Sequence, residues 1–392
     1  MLNEHRKLGK ELNLFEMSEN SNGMVYWKPK GFSIYQKIED YLRSVLSKYE
    51  HSEVKSPLLA NSELWEKSGH LQKYKSNMYF LDIEDDLKYA IKPMNCPFHI
   101  EIFNSELRSY KDLPIRLVEF GHCHRNEKSG ALNGLLRLRS FVQDDGHVFC
   151  SEDQIESELS LFMKMLFEVY QKFGFEDKSI SVKISLRPKE RVGSDDLWDK
   201  AENYLQKALS DMNINYELLP EEGAFYGPKV EISLKDSLNR EWQCGTFQLD
   251  FFLSDRLGAK YINKEGKEES PIILHRALLG SLERFIGILL EHYNGKLPLW
   301  LNPNGIKIIP VNEEHLSYAL NVKEKIKKEL NIEISIDSSN NSLSYKMRNH
   351  FKNKGNYSII IGDKEVKSNM ISIRDKKKNH IISIEDFIIG QK

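Results

Sequence analysis

Hydrophobic and polar positions alternate along the segment that begins at Arg137, and this alternation predicts a β-strand. A repeat of two residues is that of a strand, whereas a helix repeats after about 3.6 residues. One face of the strand is apolar, and the other carries Arg137, Arg139, Phe141, Gln143, Asp145 and His147. Arginines, a glutamine, an aspartate and a histidine beside an aromatic ring favour a ligand-binding face over an ordinary solvated one.

Residues 117–120, which are apolar except for Glu119, predict a preceding strand that ends in the polar sequence HRNE. A connection that contains Gly, Ser and Asn at residues 129–134 separates the two runs. Strands joined in this way form an antiparallel hairpin with a long loop. We therefore expect such a hairpin between Glu119 and Cys150.

The C-terminal part of the chain shows a different pattern, in which short apolar strands alternate with helical stretches. IKIIPV, IEISID, YSIIIG and MISIRD indicate strands, and helices are expected around residues 313–330 and 342–353. Prolines and a glycine at residues 297–305 end a preceding long helix. We therefore expect a larger domain over residues 1–298 and a small α/β domain of mixed sheet over residues 299–392.

Composition is that of an ordinary globular protein. Of the 392 residues, 40% are hydrophobic and 29% are charged, and the length allows two or three domains. No apolar run approaches a membrane span. The N-terminus lacks the apolar core of a signal peptide and carries Glu4 and Glu11, which are unusual in a transit peptide. We expect a cytoplasmic protein.

The cysteines and the charge distribution give weaker signals. Cys96, Cys123, Cys150 and Cys244 form no CxxC pair, so we expect reduced thiols with at most one metal ligand. The net charge is −2, yet lysine and arginine outnumber the acids after residue 300. A basic module at the end of an acidic body suggests a polyanionic partner.

The sequence FGHCHRNE followed by LRLRSFVQDDGH resembles motif 2 of class II aminoacyl-tRNA synthetases, in the form found in the threonyl-tRNA synthetases. Further segments resemble the same family in the same order: KPMNCPFH at 92–99, GAFYGPK at 223–229, WQCGTFQLDF at 242–251 and LHRALLGSLERF at 274–285. The resemblance covers nearly the whole chain and departs at Phe98, where the family usually has glycine. It implies an α+β catalytic domain with the class II antiparallel sheet and flanking helices, followed by a smaller α/β anticodon-binding domain.

The resemblance implies that an amino acid is joined to ATP, with Mg²⁺, and is then transferred to tRNA. Bringing a carboxylate against a phosphate needs fixed positive charge, and the planar guanidinium of arginine suits that geometry. Arg125 and Arg284 match the family's arginines on the α- and γ-phosphates, and Lys229 adds a third catalytic charge. Glu127 would accept from the adenine amino group and Phe141 would stack under the base. The implied ATP-binding residues are Arg125, Glu127, Arg137, Phe141, Gln243 and Arg284.

Three residues that are far apart in the sequence, Cys96, His147 and His275, match the family's zinc ligands, with one Zn²⁺ per chain. Their spacing alone would not reveal a site, and buried core residues are the ordinary interpretation. Three protein ligands leave a position on zinc for a substrate. The resemblance implies that this position takes the amino group and the hydroxyl of threonine together, which valine cannot offer.

The resemblance also implies a pocket for threonine around these ligands. Its residues are Met94, Gln143, Asp145, Tyr226 and Gln248. Asp145 shares the predicted strand face with His147 and would accept a hydrogen bond from the threonine hydroxyl. His124 is expected to support Arg125 and not to bind metal.

Anticodon contacts and a twofold interface are implied for the remaining segments. The implied anticodon contacts are Asn340, Lys346, Arg348, Lys354, Glu365 and Arg374. By itself the sequence GDKEV, which contains Glu365, could be only a turn between strands. The apolar stripe of residues 33–48 resembles motif 1 and implies a homodimer, although an amphipathic helix packed on its own sheet fits the same pattern.

Three other functions fit part of the pattern. A prolyl-tRNA synthetase would share the arginines and the anticodon domain, but not the Cys96, His147 and His275 set. A free-standing ligase that activates amino acids for a carrier protein would not need an anticodon module. A catalytically inactive tRNA-binding regulator would have lost the catalytic side chains. The resemblance therefore implies a threonine–tRNA ligase, which would form threonyl-adenylate and transfer threonine to the 3′ end of threonine tRNA.

The resemblance begins at HRKLGKELNLF, the entry into the catalytic body. Full-length bacterial relatives carry preceding domains, and one of these hydrolyses mischarged tRNA. Serine offers both groups that zinc would bind and lacks one methyl, a difference of roughly 1–3 kcal/mol. We therefore expect a short form without the editing region that charges serine detectably. Its cell would tolerate the error, supply a separate editing protein or encode a longer chain.

Overall fold

The computed structural model describes residues 4–82, 88–375 and 378–391. Every helix in these ranges is too short or too polar to cross a lipid bilayer.

The chain divides into two compact units that are interleaved along the sequence. The larger unit comprises residues 17–25 and 39–288, and the smaller one comprises residues 26–38 and 289–392 together with the segment that ends at Glu16. N-terminal segments thus belong with the C-terminal unit. The boundary between residues 298 and 299 stays a prediction.

Helices and strands follow one another along both units. The helices are α1 His5–Glu11, α2 Pro29–Lys48, α3 Ser62–Lys67, α4 His70–Tyr74, α5 Cys96–Asn104, α6 Ile155–Lys172, α7 Asp195–Asp211, α8 Leu253–Arg256, α9 Leu282–His292, α10 Leu316–Leu330, α11 Leu343–Lys352, α12 Asp363–Ser368 and α13 Ile384–Ile389. The strands are β1 Phe15–Met17, β2 Val25–Trp27, β3 Ser52–Glu53, β4 Leu59–Asn61, β5 Tyr79–Asp82, β6 Lys88–Ile91, β7 Ile115–His124, β8 Ser140–Cys150, β9 Ile180–Ser185, β10 Glu217–Leu219, β11 Lys229–Lys235, β12 Glu241–Asp250, β13 Tyr261–Ile262, β14 Glu268–Glu269, β15 Ile272–Ser281, β16 Ile306–Pro310, β17 Ile334–Ile336, β18 Tyr357–Ile361, β19 Ile371–Arg374 and β20 Asn379–Ile382.

The larger unit is built on an eight-stranded sheet in the order β10-β9-β11-β12-β15-β8-β7-β3. The pairs are antiparallel except for the edge pairs β9–β10 and β3–β7, which are parallel. β7 and β8 form the predicted hairpin, with His124 opposite Ser140. The α+β class with a mainly antiparallel sheet is confirmed.

The second strand of the hairpin begins at Ser140, and the prediction that it begins at Arg137 was wrong. The loop before it has its own backbone contacts: the Arg125 N–H donates to the Arg139 carbonyl, and the Arg139 N–H donates to the Gly23 carbonyl, both at 2.8 Å. The polar alternation continues through this loop although the strand pairing has ended. Alternation shows which residues are polar and does not show where a strand begins.

α6 covers one face of the large sheet. The Tyr170 hydroxyl donates to the Leu278 carbonyl of β15 at 2.8 Å. A Cβ at Gly245 of β12 would lie 2.7 Å from the Leu166 side chain, so glycine allows the strand to approach the helix this closely. Because α6 occupies this face, polar side chains on the opposite face of β8, β12 and β15 are left for a site.

The pairing of β15 with β8 becomes irregular between Ala277 and Ser281. The Asp144 carboxylate accepts hydrogen bonds from two backbone N–H groups of this irregular segment, at 2.6 and 3.0 Å. Asp144 is fully buried, and strand alternation places Asp145 on the opposite face. Asp144 therefore stabilises the backbone, and Asp145 is available to the site.

The smaller unit has a five-stranded sheet in the order β17-β16-β18-β19-β20. β16 is parallel to β17 and β18, while the β18–β19 and β19–β20 pairs are antiparallel. Its core is rich in isoleucine, including Ile306, Ile308, Ile359 and Ile361. The predicted mixed sheet is confirmed, and β20 and α13 were not predicted.

GDKEV begins helix α12, so its interpretation as a turn between strands was wrong. The Glu365 carboxylate accepts a hydrogen bond from the Gly362 N–H at 2.9 Å. An acidic side chain that reaches back to the helix N-terminus in this way caps the helix.

The apolar stripe of α2 is buried within the chain. Ile34, Ile38, Leu42, Val45 and Leu46 are at most 3% exposed. The stripe therefore contributes to the fold of the chain itself, and the homodimer stays a prediction.

Candidate active site

Three neighbouring strands place polar side chains side by side on the face opposite α6. His147 of β8 lies opposite His275 of β15, and His275 lies opposite Gln248 of β12. Directly opposed residues of antiparallel strands have their side chains on the same face. The strand register thus brings together residues that are far apart in the sequence.

Cys96 completes a group of three candidate metal ligands, called here the ligand group (Cys96, His147 and His275). Cys96 is the first residue of α5, and its sulfur and one ring nitrogen from each histidine lie within 4.8 Å of one another. A thiolate with two imidazoles is a ligand set that zinc accepts, and three protein ligands leave a position for a substrate. The structure therefore brings the predicted ligands together.

His147 offers an unsatisfied nitrogen at this point. Its Nδ1 lies 2.8 Å from Nδ1 of His99, whereas its Nε2 is buried without a hydrogen-bond partner in the part of the chain that the structure describes. Burial, with the nearby charges of His275 and His99, holds the pKa of His147 well below its usual range, so the ring is neutral. A buried acceptor without a donor costs free energy, and a metal ion would satisfy it. The residues therefore fit zinc.

The other histidine of the ligand group is oriented by Asp250. Nε2 of His275 lies 3.1 Å from the Asp250 carboxylate, which also accepts the backbone N–H groups of Phe252 and Leu253. Burial alone would lower the pKa of His275, but Cys96 and Asp250 raise it to about 10. The contact with Asp250 occupies Nε2, and a metal ion would replace the proton on Nδ1, which faces the ligand group.

Sequence reasoning missed Asp250, and it also missed His99 and Glu119, which stand behind His147. His99 lies in α5 one turn after Cys96, and its Nε2 is 3.3 Å from Glu119. The i, i+3 spacing of Cys96 and His99 on one helix was an available signal. Asp250 and Glu119 gave no such signal, because their roles depend on strand register.

A small cavity of about 30 Å³ adjoins the ligand group. Cys96 and His275 line it together with the predicted residues Met94 and Tyr226. The Tyr226 hydroxyl donates to the Gln248 side chain at 3.2 Å. The structure thus gathers three of the residues predicted for threonine beside the candidate metal ligands.

Asp145 lies between Gln143 and His147 on one face of β8. The Asn95 amide donates to its carboxylate at 2.8 Å. A Cβ at Gly121 would lie 2.2 Å from the Asn95 amide nitrogen, so the glycine of FGHCH makes room for this contact. Asn95 is a further residue that sequence reasoning missed.

A second, open cavity of about 630 Å³ is lined by all six residues predicted for ATP. The predicted residues that line it are Arg125, Glu127, Arg137, Phe141, Gln143, Gln243 and Arg284. Gln143 was predicted for the threonine pocket and lines this cavity. Phe141 and Gln143 share one face of β8 with His147, so one strand connects the cavity to the ligand group.

The arginines of this cavity differ in their partners. Arg125 donates from Nε to a backbone carbonyl at 3.2 Å, and its guanidinium lies 5.1 Å from the centre of the Phe141 ring. Arg137 forms an ion pair with Glu127 at 2.9 Å. Nε of Arg284 is buried without a hydrogen-bond partner among the described residues. The charges of Arg125 and Arg284 are therefore available to an anion.

Gln243 reaches the cavity because β12 contains a bulge. Ile232 pairs with Gly245 and Ser233 pairs with Gln243, which leaves Cys244 as an extra residue. A bulge changes which side chains face the site. Simple alternation from Gln248 would have placed Gln243 on the opposite face.

Two other predicted residues, His124 and Lys229, have partners of their own in the structure. The ring of His124 stacks on His122, with centroids 4.7 Å apart, and Arg125 is oriented by other groups. Lys229 lines neither of the two cavities described above, and its ammonium group pairs with Glu231 at 2.5 Å.

The residues predicted for the anticodon lie in the smaller unit. Asn340, Arg348 and Arg374 are exposed. The carboxylate of Glu365 caps α12, which already accounts for that residue structurally. The three exposed residues are accessible to a partner.

Comparison with known proteins divides the chain into two matched segments. Residues 79–293 match the family described as tRNA synthetase class II core domain (G, H, P, S and T). Residues 306–389 match the family described as anticodon binding domain.

Similar proteins extend the match over nearly the whole chain. The threonine–tRNA ligase of Ehrlichia chaffeensis is 52% identical over 97% of this chain and 60% of its own length. That of Nitrosomonas eutropha is 50% identical over 98% and 60%, so the chain spans about 60% of the length of these curated relatives. The solved RNA binding domain of threonyl-tRNA synthetase from Cryptosporidium parvum gives a TM-score of 0.93 at 38% identity, covering 99% of this chain and 97% of that one.

Proposed function

The chain belongs to the threonyl-tRNA synthetase family of class II tRNA synthetases, and from this premise we propose that it activates L-threonine with ATP and transfers threonine to the 3′ end of threonine tRNA. The observation that carries the proposal is the polar face of β8. Phe141 and Gln143 line the arginine-rich cavity, and His147 on the same face belongs to the ligand group. An adenylate must form where a nucleotide and an amino acid meet, and this strand connects the two sites.

The first step brings the threonine carboxylate against the α-phosphate of ATP, and both are anions. Arg125 and Arg284 would stabilise the negative charge that gathers in the transition state. Arg137, Glu127 and the Phe141 ring would hold the rest of the nucleotide, which carries Mg²⁺. No side chain has to act as a nucleophile, so catalysis is positioning together with electrostatics.

Selection of threonine would take place at the ligand group, which would hold one zinc ion. When bound there, zinc supplies coordination for an amino group and a neighbouring hydroxyl, a pair that valine lacks. Asp145, oriented by Asn95, would accept a hydrogen bond from the hydroxyl. Tyr226 and Gln248 would close the pocket. A site that binds a hydroxyl through polar groups rejects the analogue without it far better than an apolar pocket does.

Pyrophosphate exchange with a panel of amino acids tests this function. Threonine should support exchange of label between pyrophosphate and ATP, and proline should not. Serine keeps the amino and hydroxyl groups and lacks one methyl, so its kcat/KM should be only about 10- to 200-fold lower. Exchange driven by proline, or no exchange with threonine, would contradict the proposal.

The smaller unit would bind the anticodon, and point changes test this better than deletion. Deleting residues 299–392 would also disturb the N-terminal segments that belong to the same compact unit. The double change Arg348→Ala and Arg374→Ala should raise the KM for threonine tRNA about tenfold or more, because both exposed charges would face the nucleic acid. Pyrophosphate exchange should stay unchanged.

The matched control for this double change is Lys328→Ala, at an exposed residue of α10 in the same unit. It should leave the KM for tRNA close to the wild-type value. An equal loss of exchange and of tRNA charging in the arginine double variant would mean that the change acts through the fold.

A homodimer and a cytoplasmic location complete the proposal. The resemblance of α2 to motif 1 supports the dimer. Sedimentation equilibrium measures the mass in solution, and a monomer at micromolar concentration would contradict this part.

A further inference from the structure

A series of buried polar side chains extends from Nδ1 of His147, away from the ligand group. Nδ1 of His147 lies 2.8 Å from Nδ1 of His99, and Nε2 of His99 lies 3.3 Å from the Glu119 carboxylate. Glu119 also accepts hydrogen bonds from the Lys92 ammonium group at 3.1 Å and from the Ser56 hydroxyl at 2.6 Å. His99 and Lys92 are fully buried, and Glu119 is 1% exposed. Packing therefore fixes the order of these groups.

The charge state of Glu119 determines which groups in this series of buried polar side chains donate hydrogen bonds and which accept them. Burial would raise the pKa of Glu119, but hydrogen bonds from His99 and Ser56 and the charge of Lys92 lower it to about 2. An ionised carboxylate can only accept. Nε2 of His99 must therefore carry a proton. When this is the only proton on the ring, Nδ1 of His99 is an acceptor.

The same reasoning extends to His147. When Nδ1 of His99 accepts, Nδ1 of His147 donates, and the lone pair of His147 is left on Nε2. This Nε2 is the buried nitrogen that has no hydrogen-bond partner within the described ranges. The contact with His99 therefore supports the tautomer of His147 that the ligand group requires, with the lone pair on Nε2.

His99 lies between Glu119 and His147 and contacts both side chains. In the hairpin register Leu117, and not Glu119, lies opposite His147. The His99 and His147 rings are nearly perpendicular, at 87°, with centroids 4.7 Å apart. Metal-binding histidines usually donate their second ring N–H directly to a carboxylate, a carbonyl or a water. Here a second imidazole, carried by α5, stands between the carboxylate and the histidine.

We propose that His99 is a positioning residue of the metal site, which transmits to His147 the orientation set by Glu119 and so directs Nε2 of His147 toward the metal. This inference rests on the proposed zinc function of the ligand group. His275 contacts the Asp250 carboxylate directly, and His147 is connected to the Glu119 carboxylate through His99. Each histidine ligand is thus linked to a carboxylate. Removing such a partner lowers metal affinity about 10- to 100-fold.

The zinc affinity of the full chain, measured by competition with a chromophoric chelator, tests the inference. His99→Phe keeps a ring and removes the acceptor, so it should weaken zinc binding about 10- to 100-fold. Excess zinc should restore its threonine-dependent exchange, since the lost quantity is affinity. His99→Gln keeps an acceptor and a donor and should lose less. The matched control is His350→Phe, which replaces a buried histidine of the smaller unit and should leave zinc affinity unchanged.

A measurement on the wild-type protein does not depend on whether a variant folds. In zinc-loaded protein labelled with ¹⁵N-histidine, NMR should show the proton on Nε2 of His99 and on Nδ1 of His147. A proton on Nδ1 of His99 would overturn the inference, and so would wild-type zinc affinity in a folded His99→Phe variant. If the wild-type protein binds no zinc, the zinc part of the proposed function fails first and the positioning role fails with it.

Discussion

Replacing Cys96 by serine should deplete the protein of zinc and lower the rate of threonine activation by about 10⁴-fold or more. A thiolate binds zinc, whereas a serine hydroxyl stays protonated at neutral pH and is a far weaker ligand. The loss should be large, because a site that recognises its substrate through polar contacts loses about 10⁴–10⁵ when those contacts are absent. Metal analysis and threonine-dependent pyrophosphate exchange measure the two effects.

The same variant should also lose its selectivity. The wild-type protein should prefer threonine to valine by about 10⁴-fold, whereas the remaining rates of Cys96→Ser with the two amino acids should lie within about tenfold of each other. ATP binding should survive, because Arg125 and Arg284 lie in the separate, larger cavity. Cys150→Ala, at a buried cysteine outside the ligand group, should keep both zinc and selectivity. Full activity of the metal-free wild-type protein, or equal activity with valine, would remove the zinc mechanism.

The fold could be predicted where a pattern repeats, and the errors lie where local contacts replace the pattern. Alternation predicted the β7–β8 hairpin, yet it placed the start of β8 at Arg137, because the backbone of Arg139 pairs with Gly23 outside the strand ladder. GDKEV was open to interpretation as a turn, because a helix there depends on the cap formed by Glu365. Such contacts depend on side-chain geometry that the apolar pattern does not contain.

The apolar and polar pattern predicts the candidate site even less well than it predicts the fold. No spacing rule joins Cys96 to His147 and His275, and only the resemblance to a family predicted the ligand group. The structure explains the grouping through strand register and the position of α5. Asp250 was missed because its contact with His275 depends on how the strands are placed, whereas the i, i+3 spacing of Cys96 and His99 on one helix was a signal that went unused.

Arg125→Ala should reduce adenylate formation by roughly 10²–10³-fold, the usual effect of removing one group that stabilises transition-state charge. The Arg125 guanidinium is held by neutral groups, the Pro93 carbonyl and the Phe141 ring, so its charge is available to the phosphate. Removing it leaves no buried carboxylate without a partner, and the melting temperature should change little. Arg137 is already paired with Glu127, so Arg137→Ala should lower the rate by less than about tenfold.

Pyrophosphate exchange measured beside a thermal melt separates lost charge from lost stability. Arg125→Lys keeps the positive charge and loses the planar fork that binds two phosphate oxygens, so its rate should fall between those of the wild-type protein and Arg125→Ala. Near-normal exchange in Arg125→Ala, or a loss no larger than that of Arg137→Ala, would contradict the assignment. A rate that falls together with the melting temperature would place Arg125 in the fold of the hairpin loop, because a purely electrostatic role affects the transition state and leaves the folded state unchanged.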